Sequence, residues 1–353
     1  MNSVIRFLAP DDLAQLLHLY QEVAQQGDGI IRYPFEIDAN YIQTFALKSW
    51  SSGLALVAEV DGRIIGEIHA FMSDIFASRH MLIGLTIVVH PKAQGQGIGR
   101  HLFQQFLTLV ETGRPDIFRI ELYVRSHHTK AIGLYESLGF KKEGILHDRI
   151  LTKEHTLQTP WMMAWKNPNF RLNAVSIASK RHRVSLCPVT EQDLERLSKL
   201  ARKIYKAYFI HLWKDDGQWY RNWAFSTQKL ASELQEPGAR WYLSYYQGKA
   251  VGFLKTIDQL GPEGKDRDTL KLERIYLLPE AKGEGIGQAM LRYVNQAAKQ
   301  LGRKSVWLTV MDSNDTSIAF YQKHQFEIFG RHQLDFEQVK EQYRGMYQMR
   351  RLL

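Results

Sequence analysis

Twice in this chain an apolar run ends at a proline, passes into a glycine-rich loop and continues as an amphipathic stretch. The first copy reads Leu85-Thr86-Ile87-Val88-Val89-His90-Pro91-Lys92-Ala93-Gln94-Gly95-Gln96-Gly97-Ile98-Gly99, and the second Glu273-Arg274-Ile275-Tyr276-Leu277-Leu278-Pro279-Glu280-Ala281-Lys282-Gly283-Glu284-Gly285-Ile286-Gly287. Gly97 and Gly285, like Gly99 and Gly287, stand 188 positions apart. Glycine allows positive φ and lets a ligand reach the main chain without meeting a Cβ. The N–H groups that converge at a following helix N-terminus, together with the helix dipole, favour an anion such as a pyrophosphate. A helix is expected each time, because Leu102, Phe103, Phe106, Leu107 and Val110 recur at helical spacing after the first loop, and Met290, Val294, Ala297, Ala298 and Leu301 after the second. One such loop could be a steric turn; two in register point to a duplicated anion-binding unit.

The duplication extends outward. Leu54 to Val60, Asp61-Gly62 and Arg63 to His69 read as a hairpin around a tight turn, and Trp241 to Tyr246, Gln247-Gly248 and Lys249 to Lys255 read the same way. Each half opens with a strand and a helix: Val4 to Leu8 before Leu13, Leu16, Leu17 and Tyr20, and Val184 to Cys187 before Leu194, Leu197, Leu200 and Ala201. Thr190 with Asp193 is a capping-box start. The order β, helical region, β, β, β, α, β, α, β therefore occurs twice, with Trp161 to Trp165 closing the first half. The 353 residues suffice for two cores. The expected division is a domain over 1–166, a linker over 167–182 around Asn167-Pro168-Asn169 and the basic run Lys180-Arg181-His182-Arg183, and a second domain over 183–353. The copies differ most between first helix and first hairpin, where Gly27 to Pro34 in one faces the aromatic stretch Tyr205 to Phe225 in the other.

Composition narrows the setting. No apolar run reaches membrane-spanning length and the N-terminus lacks a signal-peptide pattern, so a cytoplasmic protein without a membrane partner is expected. The single cysteine, Cys187, reads as a core residue of a strand. A formal charge of +9 suits anionic partners, but there is no RNA-binding signature or long basic tract, so nucleic acid is not an expected partner. His127-His128 has no third ligand at useful spacing, and no metal is expected.

The strand, the Gln/Arg-x-x-Gly-x-Gly/Ala loop and the helix resemble the acetyl-CoA loop of the GNAT acetyltransferase superfamily. That family carries Asn-x-x-Ala-x-x-Phe/Tyr-Tyr-x-x-x-Gly-Phe on a later helix. The second half has Asn314, Ser317, Phe320, Tyr321 and Phe326 in that pattern, with Gln325 for the usual Gly. The first has Ala131, Leu134, Tyr135, Gly139 and Phe140, with His128 for the Asn. The resemblance implies an α/β (α+β) chain of two tandem GNAT-like domains, each a mixed, mostly antiparallel sheet flanked by helices. It implies acetyl-CoA as co-substrate at Ile87, Val88, Val89, Gln94, Gly95, Gln96, Gly97, Ile98, Gly99 and Arg100, and at Ile275, Tyr276, Leu277, Lys282, Gly283, Glu284, Gly285, Ile286, Gly287, Gln288 and Asn314. Acceptor pockets in that family are built largely from the stretch that differs between the copies.

Amide formation from a thioester and an amine needs close placement, loss of an ammonium proton and stabilisation of the departing thiolate. Tyr135 and Tyr321 match the family's tyrosine general acid. Glu273 is the candidate base of the second copy; its counterpart is Leu85, so Glu67, His69 or Glu121 are the substitutes open to the first. Having Asn314, Tyr321 and Glu273, the second copy is expected to carry most of the turnover. The implied activity is acetyl-CoA-dependent N-acetylation of a primary amine on a small molecule, such as a polyamine, or on a protein. The alternative is an acyl-CoA-binding sensor in at least one domain.

Overall fold

The computed structural model describes residues 3–26, 30–152, 154–180, 182–262 and 267–353. Gly27, Asp28 and Gly29 of the divergent stretch and Arg181 of the basic run lie outside them. The chain forms two compact units, Met1–Leu172 with Arg181–Arg183 and Asn173–Lys180 with Val184–Leu353.

The first unit comprises β1 (Val4–Phe7), α1 (Leu13–Gln25), α2 (Ala39–Ser52), β2 (Leu54–Val60), β3 (Arg63–Met72), β4 (Met81–Val89), α3 (Ile98–Gly113), β5 (Arg119–Arg125), α4 (Thr129–Ser137), β6 (Lys141–Ile145), β7 (Ile150–Leu151), β8 (Leu157–Gln158) and β9 (Pro160–Lys166). Its main sheet runs β1-β2-β3-β4-β5-β9-β6. The β2–β3 turn has φ of 48° at Asp61 and 77° at Gly62, the left-handed pair that a two-residue hairpin requires. Alternation along β2 feeds two cores. Leu56 and Ala58 meet Phe103 and Phe106 of α3, whereas Ala55 and Val57 meet Leu16 and Tyr20 of α1 and Ile42 and Phe45 of α2. Gly66 on β3 is needed where α3 crosses the sheet, since a Cβ there would stand 2.9 Å from a Leu102 methyl.

The second unit comprises β10 (Val175–Ala178), β11 (Arg183–Pro188), α5 (Leu194–Tyr208), α6 (Gln218–Ala224), α7 (Thr227–Leu234), β12 (Ala239–Tyr246), β13 (Lys249–Asp258), β14 (Thr269–Leu277), α8 (Ile286–Gln300), β15 (Ser305–Met311), α9 (Asp315–Lys323), β16 (Glu327–Gln333) and β17 (Gly345–Leu352). Its sheet runs β10-β11-β12-β13-β14-β15-β17-β16. Gln247 and Gly248 repeat the turn geometry with φ of 49° and 77°. The Thr190 capping box forms, with Asp193 accepting the Thr190 N–H at 2.9 Å and its hydroxyl at 2.8 Å. Cys187 is buried in the core.

From β1 to β6 in the first sheet and from β11 to β16 in the second, neighbours pair antiparallel except for one parallel pair each, β4 with β5 and β14 with β15. Two features depart from the sequence reading. The expected linker over 167–182 contains a strand, β10, whose Ile177 packs on the second core. Four residues are too few to show a period. The first unit also has β6 and the short pair β7–β8 between α4 and its closing strand.

Two glycines give opposite expectations. Gly133 lies within α4 with open space where a Cβ would go, so Gly133→Ala should stabilise by about 0.5–1 kcal/mol. A Cβ on Gly252 of β13 would strike the carbonyl oxygen of Tyr276, so Gly252→Ala should destabilise by about 1–3 kcal/mol. Denaturant unfolding of the two variants checks both signs.

Candidate active site

In the first unit β4 pairs with β5 only at Met81↔Arg119 and Leu82↔Ile120. Beyond that point the two strands part, although β4 stays bonded to β3 through Ile87, Val88 and Val89. The edge of β4 facing β5 is thereby left open. At its end the glycine loop turns with φ of 74° at Gly95 and 82° at Gly97, and a Cβ at either would meet nothing within 4 Å. Gln94 pins the loop to the strand by donating its side-chain N–H to Val89 O at 3.1 Å. Gln96 likewise donates to Lys92 O at 3.0 Å. In α3 the His101 N–H bonds Gly97 O at 3.0 Å; the donors ahead of it belong to the first turn, which has no intrahelical acceptors.

These parts converge on one cleft of about 870 Å³. Ile87, Val88, Val89, Gln94, Gly95, Gly97, Ile98, Gly99 and Arg100 line it, as does Tyr135 of α4. Gln96 is the one predicted residue of this loop outside the lining. The Tyr135 ring packs 5.5 Å from Phe103, and burial pushes its phenol up to about 12. The cleft extends to Ile30, Ile31, Arg32 and Tyr41 and to Arg149 and Ile150, residues the sequence did not single out individually.

The candidate bases of this copy sit elsewhere. Glu67 is fully buried; it accepts the Tyr20 hydroxyl at 2.6 Å and lies 3.2 Å from His69 Nδ1. The His69 ring stacks on Phe45 at 4.0 Å. Glu121 is ion-paired to Arg119 at 2.9 Å. None of the three lines the cleft.

The second unit repeats the construction. β14 pairs with β15 from Thr269↔Ser305 to Leu272↔Leu308 and then parts from it, freeing the edge that carries Ile275, Tyr276 and Leu277. Glu273 falls at a register shift against β13, at the parting point, and its carboxylate is 2.5 Å from Lys271 Nζ. Arg274 reaches instead to Glu233 of α7 at 2.7 Å, and Lys255 bridges Glu233 and Glu236 at 2.8 Å each. Burial opposes ionisation of Glu233, but the two cations outweigh it and hold its pKa below the ordinary value. Tyr321 is buried between Phe320 and Phe326, and desolvation raises its pKa well above that of a free phenol.

The second loop has the same backbone, with φ of 84° at Gly283 and 75° at Gly285, and Ile286, Gly287 and Gln288 begin α8. Its surroundings differ. Lys180, just beyond β10, donates its backbone N–H to Glu284 O at 3.2 Å and its ammonium to Gly283 O at 2.9 Å. The Lys180 Cγ stands 2.9 Å from where a Gly285 Cβ would be. Arg292 of α8 holds the same segment through Ala178 O at 2.5 Å. Glu284 accepts the Tyr246 hydroxyl at 3.0 Å, and the Lys282 ammonium lies 4.0 Å over the Tyr208 ring. In the sequence Lys180 belongs to the basic run of the expected linker, with no local pattern that ties it to the loop.

Two family models match the chain, one described as acetyltransferase (GNAT) family over residues 199–326 and one as acetyltransferase (GNAT) domain over 51–142. An uncharacterized N-acetyltransferase of Mycobacterium tuberculosis is 31% identical over 124 residues, 33% of this chain and 76% of the relative. The chain belongs to the GNAT acetyltransferase family. An uncharacterized N-acetyltransferase of Lactobacillus delbrueckii subsp. lactis is 25% identical over 154 residues, 42% of this chain and 87% of the relative. A solved structure of an acetyltransferase from Salmonella typhimurium, determined with acetyl-CoA, aligns at 20% identity and a TM-score of 0.41 over 47% of this chain and 94% of its own. Two GNAT domains thus follow one another in this chain, and no helix among the described residues is long and apolar enough to cross a membrane.

The departure at His128 has a structural counterpart. Asn314 caps α9 by accepting the Ser317 N–H at 3.1 Å, whereas His128 makes no side-chain cap on α4. Asn314→Ala should therefore cost about 1 kcal/mol of stability, which thermal unfolding of the variant measures.

Proposed function

We propose that the chain is an acetyl-CoA-dependent N-acetyltransferase acting on a primary amine, and that its first domain performs the transfer. The observation that carries this reading is the open cleft in which the loop donors, the unpaired edge of β4 and the Tyr135 ring meet. The open space at Gly95 and Gly97 fits the approach of a diphosphate to main-chain N–H groups. The freed edge of β4 can hydrogen-bond the amides of a pantetheine arm, which aligns the thioester along the strand toward Tyr135. In the transfer the amine nitrogen bonds the acetyl carbon, the carbon–sulfur bond breaks, the sulfur keeps the electron pair and the nitrogen gives up a proton. A phenol pushed up to about 12 is neutral at physiological pH, so Tyr135 presents an O–H to the departing sulfur. Cys187, the single cysteine of the chain and buried, fits a cytoplasmic setting.

The residue inventory ranked the second domain ahead for turnover, but the position of Lys180 supports the reverse order. A lysine side chain lying over Gly285 occupies the approach that a diphosphate would use. This favours a second reading for that domain alone, a GNAT fold retained without turnover, with Tyr321, Glu273 and Asn314 in structural roles.

Removing the Tyr135 hydroxyl by Tyr135→Phe should lower kcat by about 10²–10⁴-fold with little change in acetyl-CoA affinity, since the ring and its packing remain. Gly97→Val should abolish thiol release and Gly285→Val should leave it nearly unchanged. Loss of activity in the Gly285 variant with survival in the Gly97 variant reverses the assignment. Lys180→Ala should expose the second loop, so that a Gly97→Val/Lys180→Ala protein binds acetyl-CoA more tightly than Gly97→Val alone in a calorimetric titration.

A further inference from the structure

The cleft of the first domain is lined by five cationic side chains, Arg32, Arg100, Arg125, Lys130 and Arg149, and among its described lining residues there is no Asp or Glu. Two of the five have an immediate use. Arg100 stands in the first turn of α3 beside the glycine loop and Lys130 in the first turn of α4 on the same cleft, where a polyanionic nucleotide thioester needs countercharge. Arg32 and Arg149 come from other elements: one from the α1–α2 connection, the other from the excursion between β6 and β9. The Tyr33 hydroxyl ties these two segments together by donating to Leu151 O at 2.7 Å.

The two arginines rest on aromatic faces. The Arg32 guanidinium lies 4.2 Å over Tyr41, itself a lining residue, and 3.5 Å from Glu36. That carboxylate is shared, because its other oxygen accepts the Tyr33 N–H at 2.7 Å. The Arg149 guanidinium lies 5.2 Å over Tyr123, also in the lining. A guanidinium held at an aromatic face keeps N–H donors that a carboxylate can accept in bidentate fashion.

Resting on the acetyltransferase reading above, we propose that the acceptor taken by the first domain is a small amine carrying its own carboxylate, of the amino-acid class, with Arg32 and Arg149 as the specificity-determining residues that receive the carboxylate. A diamine or polyamine brings a second ammonium toward Arg32 and Arg149, cations not used by the nucleotide, and like charges repel it. The same field favours catalysis. Cations around an ammonium lower its pKa and enlarge the fraction present as the free nucleophile, which matters in a cleft whose described lining offers no carboxylate base. The carboxylate of the acceptor offsets the repulsion that the amine alone would feel, so binding and deprotonation are served by different ends of one molecule.

The test uses the full chain with acetyl-CoA and follows thiol release with a panel of α-amino acids, their carboxamides and simple diamines. The expected result is that the best amino acid exceeds its own carboxamide in kcat/KM by tenfold or more and exceeds every diamine. Arg32→Gln and Arg149→Gln should each raise KM for that amino acid by tenfold or more and reduce its preference over the carboxamide, with the KM for acetyl-CoA changed less than threefold. Equal or faster turnover of diamines or carboxamides overturns the proposal and leaves the acetyltransferase reading intact. Thiol release with none of the three classes, in a protein that binds acetyl-CoA, overturns this proposal, and removes the acetyltransferase reading as well if amine-bearing peptides release none either.

Discussion

Strand β4 keeps β5 for only two residue pairs and then leaves it, and the first domain's site follows from that separation. A parallel strand interior to a sheet would ordinarily have both edges satisfied, because unpaired backbone groups away from water are costly. Here the unmet groups of β4 open onto a cleft, and the glycine loop at the strand's end adds the unpaired donors of a helix N-terminus. Two consequences of backbone geometry, a splayed strand and a frayed helix start, thus furnish a continuous run of hydrogen-bonding groups shaped to an extended polar ligand with a charged end. Side chains enter afterwards: Tyr135 beneath the far part of the strand, Gln94 locking the loop to Val89.

The second domain keeps this frame and differs at the approach to its loop. Its strands part after four pairs, and its loop repeats the left-handed glycines. Yet the chain leading into that domain forms β10 and then lays Lys180 over Gly285, with hydrogen bonds to two loop carbonyls. The ammonium satisfies Gly283 O and the Lys180 backbone N–H satisfies Glu284 O, while the alkyl stem lies over Gly285. Gene duplication preserves a fold through its core periodicity, whereas the access to a loop depends on a segment outside the repeat.

What was legible in the sequence was local. The hairpins at Asp61-Gly62 and Gln247-Gly248, the capping box at Thr190 and the apolar stripes of α3 and α8 are each specified by residues within a turn or two of one another, and each forms as read. The glycine loops and Tyr135 could be placed for the same reason, and all of the predicted residues of the first loop except Gln96 line the cleft. What could not be read depends on long-range approach. Glu67 and His69 look like candidate bases until the fold buries them against Tyr20 and Phe45. Lys180 looks like a solvated linker charge until β10 carries it to a loop 103 positions away. Arg32 and Arg149 have no local pattern; both line one cleft, and their segments meet where the Tyr33 hydroxyl donates to Leu151 O.

The account's central claim is that one glycine loop is open to the acetyl donor and the other is covered by its own chain. A crystal structure of the full chain grown with excess CoA tests it most directly. The account predicts density for CoA in the first cleft, its diphosphate oxygens within hydrogen-bonding distance of the N–H groups of residues 95–100, while Lys180 still rests on Gly285. CoA bound at residues 282–288 with Lys180 displaced, and the first cleft without it, would contradict the account.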